Sequence, residues 1–258
     1  MIIFLSYLFY FAAASASPLQ RRWLAVRHEG GNQIDFAFRV TFIVLVLSLL
    51  LPFFSPFYLV GDRAIIVLLT ALCGIFGAGF FISSFVAQRH VDAGVSVLVS
   101  NIYTPITIVL ATLFLKEQLT ILQAIGTVLL LSAIFLISKK HRIGVLKFDR
   151  YFLLMLASGV MLGIVLVAER SLQRTTGFTA GTMLSWWAQC GALGIAAIFA
   201  RSRTSYNTRD TLTTGVLRFF QSLSWVILTF VVGNLSIVSA VTTFKVVVIF
   251  IAAAIFLK

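Results

Sequence analysis

Residues 94–116, GVSVLVSNIYTPITIVLATLFLK, align without a gap on residues 236–258, SIVSAVTTFKVVVIFIAAAIFLK. A second match lies at the start of each half, because Leu19-Gln20-Arg21 recurs as Leu172-Gln173-Arg174. The two matches occur in the same order along the chain, so together they predict two copies of one unit. The longer alignment pairs identical residues at these positions: Val99 with Val241, Ala111 with Ala253, Phe114 with Phe256, Leu115 with Leu257, and Lys116 with Lys258.

The composition places this chain in a membrane. Of its 258 residues 60% are hydrophobic and 11% are charged, whereas a soluble domain carries roughly a quarter charged residues. Twenty Lys and Arg outnumber eight Asp and Glu, but the charges are scattered between apolar runs instead of lying on one face, which argues against nucleic-acid binding. Cys73 and Cys190 both lie inside apolar runs, so the sequence offers neither a disulfide framework nor a cysteine metal site.

Nine runs are long and apolar enough to cross a bilayer core, which takes about 20 helical residues. Their lengths indicate an all-α, polytopic membrane helix bundle, because the strands of a membrane barrel are only about 10 residues long. Pro52 and Pro56 predict the end of the second helix, and the turn-forming pair Gly233-Asn234 divides the last long run in two. The predicted spans are residues 1–20, 40–61, 64–88, 93–115, 118–138, 151–168, 175–200, 211–232 and 235–257.

The predicted fold consists of two inverted repeats of five helices with the last helix missing. Five spans are an odd number, so the second copy enters the membrane from the opposite side to the first. The first predicted domain, residues 1–142, has five spans, and the second, residues 143–258, has four. The difference arises because the second copy stops at Lys258, where the first continues with Glu117 and a fifth helix.

The distribution of Lys and Arg predicts which side of the membrane holds the N-terminus. Short loops rich in these residues usually face the cytoplasm. Counted over the predicted spans, odd-numbered loops hold thirteen and even-numbered loops four, which predicts an external N-terminus. The small residues 12–17 leave a cleaved signal peptide as an alternative for the first span, although the positively charged n-region is missing.

The run from Val91 to Lys140 resembles the end of an EamA-type domain. It contains Pro105 in mid-span, LFLKEQLT at residues 113–120, and Gln123 and Gly126 ahead of an apolar helix. Such domains define the drug/metabolite transporter superfamily, and the resemblance extends over the chain as two copies. It implies ten helices in two inverted halves that carry small metabolites through a central pocket by alternating access. It also implies a tenth helix that this sequence does not contain, so the chain is expected to be either truncated or a divergent nine-span member. A cytoplasmic N-terminus is implied as well, opposite to the charge count.

Lys245 is the candidate site residue with the strongest physical reason. It lies roughly 16 Å of helix from Asn234 and roughly 20 Å from Lys258, too deep to reach either interface easily. A cation at this depth is costly and is tolerated where it faces a wet cavity or a partner. A buried pair with a carboxylate such as Glu169 is the alternative to a binding role. Residues 242–248, TTFKVVV, resemble the ninth-helix pattern of nucleotide-sugar and triose-phosphate transporters, and this resemblance implies that Lys245 contacts an anionic substrate.

Polar residues of the fourth and ninth spans are further candidates for substrate binding. In the repeat alignment Lys245 corresponds to Tyr103, and Thr243 corresponds to Asn101, so the two spans place polar groups at matching depth. Pro105 frees a backbone carbonyl nearby, which membrane helices tolerate where protein or water satisfies it. Interhelical hydrogen bonding is the alternative role for each residue. The predicted set comprises Asn101, Tyr103, Thr104, Thr242 and Thr243.

Gln221 and Trp225 complete the predicted substrate-binding residues. They share one face of the eighth span with Arg218, because the three are spaced three and four residues apart. Arg218 lies near enough to the start of the predicted span to reach the interface. Snorkelling is therefore the favoured interpretation for this arginine.

The residue types and motifs that the sequence lacks restrict the class of solute that we expect. All eight acidic residues fall at or beyond the ends of predicted spans, so no central carboxylate is expected to relay protons. We therefore expect a small neutral or anionic metabolite instead of proton-coupled export of cationic drugs. The sequence contains no Gly-rich phosphate loop, nucleophile motif or His spacing for a metal, so no catalytic residue, metal or cofactor is expected.

The sequence thus predicts a permease, not an enzyme, of a bacterial inner membrane, with the lipid bilayer and a small solute as its partners. No nucleic-acid partner is expected, and a homodimer is compatible with the pattern. Two alternatives remain open. An integral-membrane enzyme acting on a lipid or isoprenoid would gather His or carboxylates at one membrane face. A non-catalytic membrane subunit would need a partner, and the missing tenth helix favours that interpretation.

Overall fold

The described part of the chain is helical, with no strand. The computed structural model describes residues 2–27, 32–88, 90–91, 96, 99–118, 121, 124–126, 128–129, 132, 150–200, 206–243 and 245. The predicted fifth span, residues 118–138, lies largely outside these residues, as does the ninth span beyond Lys245.

Eight α-helices and one short 3₁₀ helix follow one another in the described residues. Five segments are long and apolar enough to cross a membrane, namely α2 with the following 3₁₀ helix, α3, α5, α6 and α7. Helices α1 and α4 contain shorter apolar stretches, Ile3–Ser17 and Tyr103–Leu115. The helices are α1 Ile2–Arg27, α2 Gln33–Ser48, the 3₁₀ helix Leu51–Phe53, α3 Arg63–Ala87, α4 Tyr103–Leu115, α5 Arg150–Thr176, α6 Phe178–Phe199, α7 Thr208–Val232 and α8 Leu235–Thr242.

The division at Gly233-Asn234 and a break at Pro52 are confirmed, but the second helix ends before this proline and well short of the predicted residue 61. Helix α2 stops at Ser48, and Pro52 lies in the 3₁₀ helix that follows, where its missing N–H does no harm. Helix α7 ends at Val232 because Gly233 adopts a left-handed conformation, with φ 74°. Asn234 then begins α8, since its side chain accepts a hydrogen bond from the amide of Ile237.

The sixth predicted span ends too early. It was expected to stop before Glu169, but α5 continues through Glu169 and Arg170 to Thr176. The two charged side chains continue the helix because both find partners inside the protein. Glu169 accepts a hydrogen bond from Ser185, and Arg170 donates to the Gln173 side chain.

Helices from the two predicted halves interleave. Helix α1 packs along α7, and α3 packs along α5. Helix α3 also contacts α6, and α2 contacts α7. In the centre α2 packs on α6, while α4 crosses α8. The core is therefore formed between the halves and not within each one separately.

Small residues allow close contacts between these helices. A Cβ atom on Gly159 of α5 would lie 2.7 Å from the carbonyl oxygen of Ser100. A Cβ atom on Gly181 of α6 would lie 2.5 Å from the backbone nitrogen of Gln173. Helix α5 therefore has close backbone contacts on two sides, which fixes the position of Glu169 near its C-terminal end.

Candidate functional site

A cavity lies between helices α1–α4 of the first predicted half and helices α5–α7 of the second, and we refer to it as the central cavity. Its volume is about 80 Å³, several times the roughly 10–15 Å³ that one water molecule needs. Three charged side chains line it, together with polar and aromatic groups from seven α-helices and Lys245. The lining residues are Tyr10, Thr41, Val44, Phe81, Tyr103, Leu162, Val165, Leu166, Glu169, Trp186, Gln189, Arg218, Gln221, Ser222, Trp225, Val226 and Lys245.

The ammonium group of Lys245 is held by two tyrosines. Its Nζ atom donates to the hydroxyl oxygens of Tyr103, at 3.2 Å, and Tyr10, at 3.4 Å. The same atom lies 4.7 Å from the centre of the Tyr103 ring, within range of a cation–π interaction. Among the described residues Lys245 has no carboxylate partner, so the alternative of a Lys245–Glu169 pair is wrong. Two phenols leave its positive charge uncompensated.

Trp225 completes an aromatic wall around this lysine. The centre of its ring system lies 5.8 Å from that of Tyr10 and 6.3 Å from that of Tyr103. Tyr10 was not predicted from the sequence, since an aromatic residue in an apolar run has no distinguishing signal. Helices α1, α4 and α7 therefore meet at the Lys245 side chain.

Arg218 faces the central cavity and does not reach toward the membrane surface. It lies about ten residues into α7, roughly 15 Å from the first turn, because the helix begins earlier than the predicted span. Its Nη1 atom donates to Oε1 of Gln221 at 3.4 Å, and its guanidinium carbon lies 5.1 Å from the centre of the Phe81 ring. The snorkelling interpretation is wrong for this arginine. Gln221 lines the cavity as expected.

Glu169 is a cavity carboxylate that the sequence analysis did not expect. Its side chain is buried, and its Oε2 atom accepts a hydrogen bond of 2.9 Å from Ser185 on α6. Gln189, one turn further along α6, donates to the same serine at 3.0 Å. The sequence placed Glu169 beyond the end of the sixth span, but α5 extends two turns further, so this carboxylate lies within the helix and lines the cavity.

The remaining predicted residues lie behind the cavity wall. Thr104 and Thr243 are hydrogen-bonded to each other across α4 and the end of α8, at 2.9 Å. Thr242 donates to the carbonyl of Val238 at 2.7 Å and is fully buried. Asn101 is also fully buried, and neither atom of its amide has a hydrogen-bond partner in the described structure. Of the predicted set, Lys245, Tyr103, Gln221 and Trp225 are brought together at the central cavity.

A second cluster of charged groups closes one end of the bundle, which we call the Glu117 end. Glu117 follows α4 and is buried. Its carboxylate accepts hydrogen bonds from the amides of Leu235 and Ser236, at 3.1 and 3.0 Å, which are unpaired donors at the start of α8. Arg174 of α5 forms an ion pair with the same carboxylate at 3.0 Å and also donates to the carbonyl of Leu115.

Further hydrogen bonds join the two halves at both ends of the α2–α6 pair. At the Glu117 end, the Thr179 hydroxyl donates to the carbonyl of Ser55 at 2.7 Å. At the opposite end, which we call the Tyr206 end, the Asn32 amide donates to the carbonyl of Ala200 at 3.2 Å. The Gln33 side chain also donates to the Tyr206 hydroxyl there.

Comparison with known proteins bears on both the family and the fold. The sequence model described as the EamA-like transporter family matches residues 1–139. A solved structure, described only as a crystal structure of a protein, has a TM-score of 0.65 and covers 97% of this chain and 89% of its own. The two sequences are 16% identical, so this likeness concerns the fold alone. No curated protein sequence matches the chain.

Proposed function

Since the chain belongs to the EamA-like transporter family, we propose that it is a permease which moves a small anionic metabolite through the central cavity by alternating access. The observation that carries this proposal is the ammonium of Lys245, whose hydrogen-bond partners among the described residues are two phenol groups of the cavity wall. The family supports a transporter over an integral-membrane enzyme.

The charges of the cavity favour an anion over a neutral solute. Lys245 and Arg218 are both cationic, and Glu169 is the one acidic residue among the described residues of the wall. Neither cation forms an ion pair with a described residue, so each retains charge that a bound anion would neutralise. Buried charges are costly unless they are paired, and this cost favours an anionic group between them. Tyr103, Gln221 and Gln189 supply donors that can orient such a group.

An inverted repeat explains how the helices are paired. If helices α1–α4 of the first half correspond to α5–α8 of the second, contacts between halves should occur in matched pairs. The α1–α7 contact then matches α5–α3, and α3–α6 matches α7–α2. The central contacts α2–α6 and α4–α8 match themselves, whereas the α4–α5 contact has no comparable α1–α8 counterpart among the described residues. These pairings support a two-fold axis lying in the membrane plane.

The position of Lys245 fits the same axis. The repeat alignment pairs Lys245 with Tyr103, and these two side chains touch each other. Equivalent residues of two related halves can meet only near the axis that relates them. The solute would therefore bind where the halves join, as alternating access requires.

Uptake into proteoliposomes tests the proposal. The purified full chain would be offered radiolabelled inorganic phosphate, succinate, glutamate and glucose, and we expect uptake of at least one anion. Lys245→Ala should lower kcat/KM for that anion by about 10- to 100-fold, because a charged hydrogen bond contributes about 1.5–3 kcal/mol. Lys245→Arg should restore part of the rate, since it keeps the charge.

Arg209→Ala is the matched control, because Arg209 is an exposed cation on the first turn of α7, outside the cavity. Its uptake should equal that of the wild type. If Lys245→Ala elutes as a folded protein and transports every anion like the wild type, the binding role of Lys245 is wrong. Uptake of glucose alone would contradict an anionic solute.

A further inference from the structure

The buried carboxylate of Glu169 lies in the electrostatic field of Arg218 without forming an ion pair. Only 6% of the residue is exposed, and its carboxylate accepts hydrogen bonds from the side chains of Ser185 and Trp186. No described residue forms an ion pair with it, although Arg218 lies in the same cavity wall. An ionised carboxylate this deep in a membrane protein is costly, and such residues often bind a proton or another transported cation.

The groups around Glu169 come from every helix that packs against α5. Helix α6 provides a hydroxyl and an amide, but neither carries a charge. The neighbouring titratable groups are a thiol from α3, phenols from α1 and α4, and two cations. They are Cys73, Tyr10, Tyr103, Arg218 and Lys245, with Ser185 and Gln189 as the uncharged neighbours.

We propose that Glu169 is a proton-binding site that is coupled to the anion site at Lys245 and Arg218, so that the permease carries a proton and an anion in the same direction. The proposal rests on the proposed function, because it requires an anion in the central cavity. It adds the coupling ion and the residue that binds it.

The coupling follows from the charges in the wall. Without solute, the two cations outnumber the carboxylate by one, and an ionised Glu169 is stabilised by their positive field. A bound anion neutralises that field and adds a second negative charge to the same cavity. Protonation of Glu169 removes the resulting repulsion. Because coupling between two binding sites is reciprocal, the proton must favour anion binding by the same factor that the anion favours proton binding.

This reciprocity fixes the direction of the coupled transport. Two ligands that favour each other's binding populate the cavity together or leave it empty together. A carrier that changes its accessible side in those two states moves both ligands the same way. Transport of the proton and the anion in opposite directions would require each ligand to displace the other. A proton and an anion attract each other, so neither displaces the other.

A proton fits the site better than a metal cation. Sodium, like other hard cations, needs several oxygen ligands around it. Beside Glu169 the structure offers the Ser185 hydroxyl, but Gln189 presents its amide nitrogen to that serine. A proton needs only one carboxylate oxygen. An ammonium group of a zwitterionic solute is the other cation of suitable chemistry, and the experiment below separates the two.

Infrared spectroscopy of the purified full chain detects the proton without any solute. A carboxylic-acid carbonyl band that changes between pH 5 and pH 8 is expected in the wild type and should be absent in Glu169→Gln. Glu169→Asp should keep a shifted band, because it retains an acid at the site. Asp35→Asn is the matched control, since Asp35 pairs with Arg39 on a half-exposed face of α2, and its loss should leave the band unchanged.

Binding of succinate and inorganic phosphate then tests the coupling. With either probe bound, the wild-type band should titrate at higher pH, and a pH-indicator dye should report uptake of about one proton per anion. The Kd of the probe should rise about tenfold or more between pH 5 and pH 8 in the wild type. In Glu169→Gln only the pH dependence that comes from ionisation of the probe itself should remain.

Four results would overturn the proposal. No band specific to Glu169 would mean that the residue binds no proton in this range. Probe binding that leaves the titration unchanged would refute the coupling while leaving the proposed permease intact. Transport confined to glutamate, without proton uptake, would assign Glu169 to the ammonium of the solute. If neither probe binds while the Glu169 band still titrates, it is the proposed anion permease that fails, and the coupled transport fails with it.

Discussion

At the scale of one residue, loss of the Tyr103 hydroxyl should change the KM for anion uptake measurably. Tyr103→Phe keeps the ring beside Lys245 but removes the oxygen that accepts the 3.2 Å hydrogen bond. One hydrogen bond contributes about 0.5–1.5 kcal/mol, so KM for the transported anion should change about two- to tenfold, with the protein still folded. Uptake kinetics measure this. Tyr58→Phe, at an exposed position, is the control, and equal KM values for both variants would contradict the role of Tyr103.

The sequence predicted one of the three cavity charges because of its position. Lys245 lies in the middle of an apolar run, where a charged side chain is costly unless it faces a cavity or a partner. Glu169 and Arg218 lie near the ends of such runs, and whether they face the cavity depends on helix lengths that composition does not determine. Tyr10 is one aromatic residue among many, and only the contact with Lys245 distinguishes it.

At the scale of the helix, the α5–α6 contact should be very sensitive to volume. Gly181→Ala would place a methyl group 2.5 Å from the backbone nitrogen of Gln173, and backbone cannot rotate away. We expect a loss of about 1–3 kcal/mol in stability, because overpacking forces helices apart. Thermal unfolding in detergent, followed by size-exclusion chromatography, measures the loss.

Gly191→Ala is the matched control on the same helix. No atom outside its local backbone lies within 4 Å of the added methyl group, so only helix propensity changes. That change favours alanine by up to about 1 kcal/mol. If both variants unfold at the same temperature, the close contact at Gly181 does not limit stability.

Local turn chemistry made some helix boundaries predictable. Proline and the Gly233-Asn234 pair act within a few residues, so their effects can be inferred from sequence. The end of α5 depends instead on residues outside this helix. Ser185 of α6 donates a hydrogen bond to Glu169, and the carbonyl of Gly233 accepts one from Arg170. Such tertiary partners have no local signal.

At the scale of the whole molecule, alternating access predicts that joining the halves at either end stops transport. Thr179 and Ser55 are in contact at the Glu117 end, and Asn32 and Ala200 are in contact at the Tyr206 end. Replacing either pair by cysteines and linking the two thiols with a short bifunctional reagent that contains a disulfide should abolish uptake. A reducing agent that cleaves the linker should restore it.

The control pair is Gln173→Cys with Thr182→Cys, which joins α5 to α6 within one half. Transport should continue after that pair is linked. Cys73→Ala and Cys190→Ala remove the two native thiols beforehand, and both are buried. Unchanged uptake with an end pair fully linked would exclude relative movement of the halves at that end.

The all-helical membrane architecture was predictable because apolar runs are a property of the sequence itself, whereas the inverted repeat stays a prediction. The self-alignment paired Lys245 with Tyr103 before any contact between them was known, and the two side chains touch. The side of the membrane that holds the N-terminus stays a prediction. The repeat pattern did not indicate the hydrogen bonds at the two ends of the bundle, because they join residues far apart in sequence.

The short turn between α7 and α8 also bears on how the protein reaches its membrane during synthesis. A segment with lysine near its centre is inserted by the translocon at a cost of a few kcal/mol. Gly233 and Asn234 alone separate α8 from α7, whose mean hydropathy is 1.6, and Lys245 lies three residues beyond the end of α8. The two helices can therefore enter the bilayer as one hairpin, with the apolar partner offsetting the charged one. Lengthening this turn would expose the cost of the lysine and lower the yield of correctly inserted protein.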